Sequence, residues 1–394
     1  MTAVPRDTVS QGLERLLPTY ARADVTFVRG EGARLWDAEG REYLDFGGGI
    51  AVVSLGHRHQ APLEAAHEQL DRLWHASNLY RTVPAEALAT RLSERFGGAQ
   101  AFFCNSGAEA IEAALKYARK ATGKPGVVAL EGSFHGRTLG ALSATGQPAK
   151  RAAFEPAVAG VRFVAPNDVD ALREAVDEGI GLILLEPILG EGGVVPLDAE
   201  FVAAASELPP LLGLDEIQTG VGRTGSFFAF EQLGVRPALV TLAKGLANGL
   251  PIGCLLVADE AAGGLEPGDH GSTFGGNLVS CAAACAVVDA IDDELLDAVR
   301  EHGRALASTL ATLPGVVEVR GRGLLLGAVV DRPAADVVTA CREHGLIVLT
   351  AGQDVVRVAP PLTVSAKDVA RALALVAAAL EESAPHILLE SRIV

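Results

Sequence analysis

The sequence predicts an α/β protein whose large domain is a mostly parallel sheet with flanking helices, completed by a smaller α+β C-terminal domain. Two observations lead there. Short apolar runs recur at Ala101–Cys104, Gly126–Leu130, Gly181–Leu185, Leu211–Leu214 and Leu239–Leu242, and stretches with helical spacing separate several of them. Polar groups follow the runs directly, at Ser106, Phe134 to Arg137, Glu186, Asp215 and Lys244, and ligands of parallel sheets sit at the carboxyl ends of the strands.

At 394 residues, with 49% apolar, the chain has material for two or three domains. The expected division is an N-terminal segment and hairpin over 1–46, a large domain over 47–277 and a small one over 278–394. A formal charge of −16 argues against nucleic acid or anionic membrane as a partner, so an anionic substrate has to be met by locally placed arginines. Five cysteines in no framework spacing read as reduced thiols, and Cys281 and Cys285 as packed helix residues, with no metal site. Met1 to Asp7 lacks a signal pattern and no run is long enough to span a bilayer, so a cytoplasmic protein is expected.

In chain order, Ala33–Asp37 and Glu42–Phe46 read as a hairpin around Ala38-Glu39-Gly40, followed by Gly47-Gly48-Gly49-Ile50-Ala51-Val52, either a flexible run where backbone approaches a ligand closely or a tight loop before a helix. Pro62–Leu73 and Pro84–Phe96 have helical spacing. After the strand at Ala101–Cys104, the turn Asn105-Ser106-Gly107 opens a helix at Ala108. Ser106 there serves as an N-cap, as a phosphate ligand, or as both. Phe134 is either a packed loop aromatic or a platform for a flat ring, with Arg137 nearby for a carboxylate. Beyond the large sheet, Val279–Ile291 and Glu301–Leu310 read as helices. Val316–Val319, Gly323–Val330 and Val355–Val358 read as strands, and Ala366–Ala379 as the closing helix.

Lys244 stands between a buried strand and the breakers Gly245, Gly249 and Pro251. A lysine there either snorkels to solvent or, desolvated and with a lowered pKa, condenses with a carbonyl, as lysines do when they hold pyridoxal phosphate. Asp215, directly after its strand, is either a cap or ion-pair partner, or the carboxylate that meets a protonated pyridine nitrogen. One helix and one strand are expected between Asp215 and Lys244.

Taken together, Asn105-Ser106-Gly107-Ala108-Glu109, Phe134-His135-Gly136-Arg137-Thr138, Glu186-Pro187 with Gly190-Glu191-Gly192-Gly193, Asp215 through Gly225, Lys244-Gly245 and Gly271 through Asn277 resemble the successive motifs of class III (ornithine-type) aminotransferases. Gly49-Ile50-Ala51-Val52 and Gly321-Arg322-Gly323-Leu324 are most similar to the acetylornithine group. The resemblance implies fold type I and pyridoxal 5'-phosphate, with Ser106, Gly107 and Ala108 at the phosphate and Phe134 and Ile217 on the two ring faces. It further implies Asp215 at the ring nitrogen, Gln218 at the phenolic oxygen and Lys244 as the covalent anchor and proton carrier. Thr273 would reach the phosphate in the neighbouring subunit, making a homodimer with shared sites. Arg137 and Arg357 would bind substrate carboxylates, with Glu191 covering Arg357 in turn and Ile50 beside the acylated end.

The implied reaction moves the distal amino group of N-acetylornithine, or of a similar acylated ω-amino acid, to 2-oxoglutarate through pyridoxamine phosphate. GABA, other ω-amino acids and carrier-linked amines of lysine pathways remain alternatives, as does a catalytically silent cofactor-binding protein. A nucleotide-binding protein is disfavoured because neither GxGxxG nor a Walker lysine is present. The chain departs from the family pattern at Leu189 and Leu278 and in a short connection before Asp215, and its tail Ile387-Leu388-Leu389 is apolar enough to dock.

Overall fold

In a computed structural model, described over residues 15–383, the five apolar runs pair in one sheet that two further strands, Val161–Val164 and Gly253–Ala258, bring to seven. The apolar tail at Ile387-Leu388-Leu389 and the segment Met1 to Asp7 lie outside the described residues. Three strands precede that sheet: β1 (Phe27–Glu31), β2 (Arg34–Asp37) and β3 (Glu42–Asp45). The expected hairpin is β2 and β3. The sequence reading missed β1 because it has no apolar alternation: four of its five residues are exposed.

The large sheet contains β4 (Ala99–Cys104), β5 (Gly126–Leu130), β6 (Val161–Val164), β7 (Ile180–Leu185), β10 (Leu211–Asp215), β11 (Leu239–Leu242) and β12 (Gly253–Ala258). The ribbon of β8 (Ile188–Leu189) and β9 (Val195–Pro196) lies apart. Its order is β4-β12-β11-β10-β7-β5-β6, and β12 alone runs against its neighbours. Every residue of β5, β7, β11 and β12 is buried, as a sheet covered on both faces requires. One covering helix, Gly107–Thr122, buries Ala110, Ile111, Ala114 and Ala118 along one face and ends at Gly123 in the left-handed conformation.

The C-terminal strands β13 (Val316–Arg322), β14 (Leu325–Val330), β16 (Leu349–Thr350) and β17 (Val355–Val358) form a second sheet against the helices Asp293–Leu310, Ala334–Glu343 and Ala366–Glu382. The short strand β15 (Leu346–Ile347) pairs in parallel with β3, so the N-terminal hairpin shares a sheet with this C-terminal part.

One expectation is corrected. Between Asp215 and Lys244 the described chain has a single 3-10 turn, Ala229–Gln232, and no α-helix. Val221, Gly222 and Gly225 all have positive φ there, which no right-handed helix accommodates. Of the two readings of Gly47 to Val52, the structure has the tight loop: Gly48, Gly49, Ile50 and Ala51 have φ between 56° and 68°, a conformation costly for a β-branched residue such as Ile50.

Candidate active site

The carboxyl ends of β4, β5, β7, β10 and β11 open onto one cavity of about 400 Å³. Of the residues singled out in the sequence, Ser106, Gly107, Ala108, Phe134, Arg137, Asp215, Ile217, Gln218 and Lys244 line it.

At one end the strand-to-helix turn exposes the first N–H groups of helix Gly107–Thr122. Ser106 caps it, its Oγ accepting from the Glu109 N–H at 3.3 Å. The Glu109 carboxylate in turn accepts from the Asn105 N–H at 2.7 Å, which fixes the turn. A Cβ at Gly107 would stand 2.8 Å from Ile217 Cδ1, so backbone and apolar wall approach there as only glycine permits. Free N–H groups, a hydroxyl and a helix N-terminus make an anion cradle.

Lys244 follows β11 in the loop that returns to β12, with φ +38. It is half-buried and lines the cavity. Among the described residues no carboxylate lies within ion-pair distance of its ammonium. Burial pulls its pKa down and Arg357 adds to this, against the opposing fields of Glu191, Asp215 and Glu186. A strained, partly desolvated amine without a partner is suited to carbonyl chemistry rather than to holding structure together.

Asp215 Oδ2 lies 2.7 Å from His135 Nδ1, both side chains being buried. Its Oδ1 accepts from the Ile217 N–H at 3.1 Å and from Thr241 Oγ at 3.4 Å, the latter because β10 and β11 pair Asp215 with Thr241. Burial pulls the His135 pKa down, but the Asp215 carboxylate outweighs it and the net shift is upward. Glu186 accepts from the N–H of Phe134 at 2.8 Å and of Gly190 at 3.3 Å, and burial pushes its carboxyl up. The sequence puts His135 and Glu186 after apolar runs but assigns neither a role. The signal was there: His135 follows Phe134 directly, and Glu186 ends its strand as Asp215 does.

Arg357, on β17, is 3% exposed, and its Nη1 donates to Glu191 Oε1 at 2.5 Å, to the Gly190 carbonyl at 2.8 Å and to Gln218 Oε1 at 3.0 Å. Burial pushes Glu191 up, but the guanidinium overrides it and holds the carboxyl below its usual range. Arg357 thus joins the cavity through Gln218 without lining it. Ile50 does not line it either, although Val52, two residues on, does. Thr273 lies exposed outside it.

This set fits pyridoxal phosphate from end to end: an anion cradle, an aromatic and an aliphatic side chain for the two ring faces, a buried carboxylate for a ring nitrogen and an unpaired amine for a carbonyl. The aminotransferase class-III family model matches residues 18–380. An acetylornithine aminotransferase of Gloeobacter violaceus is 48% identical over 93% of this chain and 96% of its own length. One of Streptomyces coelicolor is 49% identical over 88% and 89%. Among solved structures, the ornithine aminotransferase of Toxoplasma gondii superposes with a TM-score of 0.91 at 32% identity over 96% of each chain. The N-acetylornithine aminotransferase of Stenotrophomonas maltophilia does so with a TM-score of 0.81 at 36% identity, over 92% of this chain and 97% of that one. The chain therefore belongs to the class III aminotransferases and is a fold type I, pyridoxal-phosphate-dependent enzyme.

Proposed function

We propose that this enzyme moves the distal amino group of N-acetylornithine, or of a similarly acylated ω-amino acid, to 2-oxoglutarate in a ping-pong cycle. The observation that carries this reading is the shielded pair of Arg357 with Glu191. A donor reacting through its distal amine keeps its carboxylate far from Lys244, whereas glutamate brings its α-carboxylate close. One site serves both if Glu191 covers Arg357 for the first and releases it for the second, with Arg137 meeting the remote carboxylate each time. Ile50 stands outside the cavity, two residues from Val52 on its wall; in this reading it meets the far end of the donor and, offering no hydrogen bond to a charged amine, favours an acylated nitrogen. Acetylornithine aminotransferases 42–49% identical to this chain support the same choice.

Bound pyridoxal phosphate supplies the carbonyl carbon that carries the amino group and a ring that accepts the electron pair left by a departing proton. Ser106 and the N–H groups of Gly107 and Ala108 would hold its phosphate. Phe134 and Ile217 would clamp the ring, Gln218 would meet its phenolic oxygen and Asp215 would keep its nitrogen protonated. Lys244 would anchor the cofactor at rest. Released from that bond, its Nζ would act as the base that takes the proton from the substrate carbon bearing the amine. The donor's CH–NH₂ becomes C=O while the acceptor's C=O becomes CH–NH₂, so the cycle balances without an outside oxidant.

A homodimer completes the site in this reading, with Thr273 reaching the phosphate bound by a second copy. Trp74, Leu79, Tyr80 and Phe274 are strongly exposed around Thr273. Their two segments are tied together by Asn78 Nδ2, which donates to the Ser272 and Gly275 carbonyls at 3.0 and 2.8 Å. Several large exposed apolar side chains beside an exposed site residue support a second copy as their cover. Rapid mixing with N-acetylornithine alone tests the cycle: the amino group is stored on the enzyme, and glutamate is released only when 2-oxoglutarate is added. A requirement for both substrates together before any donor is converted overturns it.

A further inference from the structure

Two cations stand close to one aromatic ring at the edge of the cavity. Arg137 Cζ lies 5.6 Å and Lys150 Nζ 4.8 Å from the centroid of Phe134, both within cation–π range. They come from different segments, Arg137 from the loop after β5 and Lys150 from the short helical turn Pro148–Arg151. Among the described residues neither has a carboxylate at ion-pair distance. Glu191, whose field on Lys150 is the strongest of any charged group, is already committed to Arg357 at 2.5 Å.

Lys150 is half-buried. Burial pulls its pKa down; Glu191 and Glu186 oppose this, and Arg137 and Arg357 add to it. Lys150 does not itself line the cavity; its ammonium stands against Phe134, which does, and it is partly stripped of water. Two neighbouring cations with no anion between them repel, and the arrangement is relieved when an anion arrives. An exposed arginine alone holds a carboxylate in competition with water, whereas a desolvated second cation sharpens the distinction between an acid and its neutral analogue.

We propose that Lys150 is a specificity-determining residue which, together with Arg137, binds the substrate carboxylate remote from the reacting amine. This rests on reading the site as one for ω-amino acids. It confines the donors to molecules with an anionic far end and discriminates against monoacylated diamines, which have the same amine and acyl group but no carboxylate. A lysine that merely packs over Phe134 would not distinguish the two.

The test compares N-acetylornithine with N-acetylputrescine, and 5-aminopentanoate with pentylamine, in wild type, Lys150→Met and Lys150→Arg. In Lys150→Met the ratio of kcat/KM for the carboxylated over the carboxylate-free member of each pair falls roughly tenfold or more, the scale of one charge-assisted hydrogen bond. Lys150→Arg restores most of the ratio. Calorimetry with N-acetylnorvaline, which has the carboxylate and acyl group but no reacting amine, shows the same loss in Kd without any turnover. An effect in the pentanoate pair but not in the acetylated one overturns the acylated-donor reading and leaves Lys150 in its role. Unchanged ratios in both pairs, or equal N-acetylnorvaline binding by wild type and Lys150→Met, overturn the proposal.

Discussion

Replacing Glu191 with Gln uncovers Arg357 without changing the size of the side chain. Arg357 is 3% exposed, and loss of the charged partner from a fully buried pair costs about 3–5 kcal/mol. Here the cost is smaller: the Glu191 side chain keeps 23% of its surface open, and the Gly190 carbonyl and Gln218 Oε1 remain as neutral acceptors, so about 1–2 kcal/mol is expected. That energy disfavours the covered state, which the ω-amino donor uses, and favours the uncovered state, which glutamate uses. The ratio of kcat/KM for glutamate over N-acetylornithine should therefore rise roughly five- to thirtyfold in Glu191→Gln. Single-turnover absorbance measurements of each half-reaction give the two constants separately. The wild-type ratio should change little from neutral to mildly alkaline pH. The folded-state pKa of Glu191 is depressed, so the pair is present above the ordinary carboxylate pKa and lost only as pH falls through the lower, folded one. A ratio changed by less than about twofold, or shifted toward N-acetylornithine, would refute the gating role.

Lys244→Ala should abolish turnover while the cofactor still binds without covalent attachment, measured by absorbance before and after dialysis; retained transamination would contradict the assignment. Asp215→Asn should fold normally and abstract the substrate proton on the order of a hundredfold or more slowly, read in the same single-turnover assay. Thr273→Ala should lose cofactor faster on dialysis, and a monomeric native protein by sedimentation would rule out a shared site. Glu216 is buried, accepts from the N–H groups of Ala229 and Phe230, and has its carboxyl pushed up to about 8 by burial. A raised carboxyl contributes stability that is complete below its unfolded pKa and lost as pH rises through the folded one. Denaturation across this range should therefore show wild type losing stability relative to Glu216→Gln between about pH 5 and 8, by a few kcal/mol. A constant difference between the two proteins would refute the buried, protonated carboxyl.

Local chemistry was legible in the sequence wherever a single strand end carried it. Lys244 and Asp215 follow apolar runs, Ser106 precedes a run of good helix formers, and the structure keeps all three at the mouth of the large sheet. The chain lost legibility where partners are distant. Nothing near Leu44 announces that it will pair with Leu346, because register between remote strands is set by tertiary packing. His135 reads as a loop residue until β5 and β10 bring it against Asp215. The glycines after Asp215 were visible, but the expected spacing of a crossover concealed that three positive φ values leave no room for a helix. Lys150 stands in a proline-led turn with the local pattern of solvated surface, and only its place over Phe134 distinguishes it.

The most direct test of the central claim is a steady-state panel of amino donors with 2-oxoglutarate as acceptor. Kinetics with N-acetylornithine, ornithine and GABA, followed by glutamate formation, should give the highest kcat/KM for N-acetylornithine and poor use of unmodified ornithine. Comparable values for all three, or a preference for GABA, would contradict the acylated-donor assignment while leaving the class III aminotransferase chemistry intact.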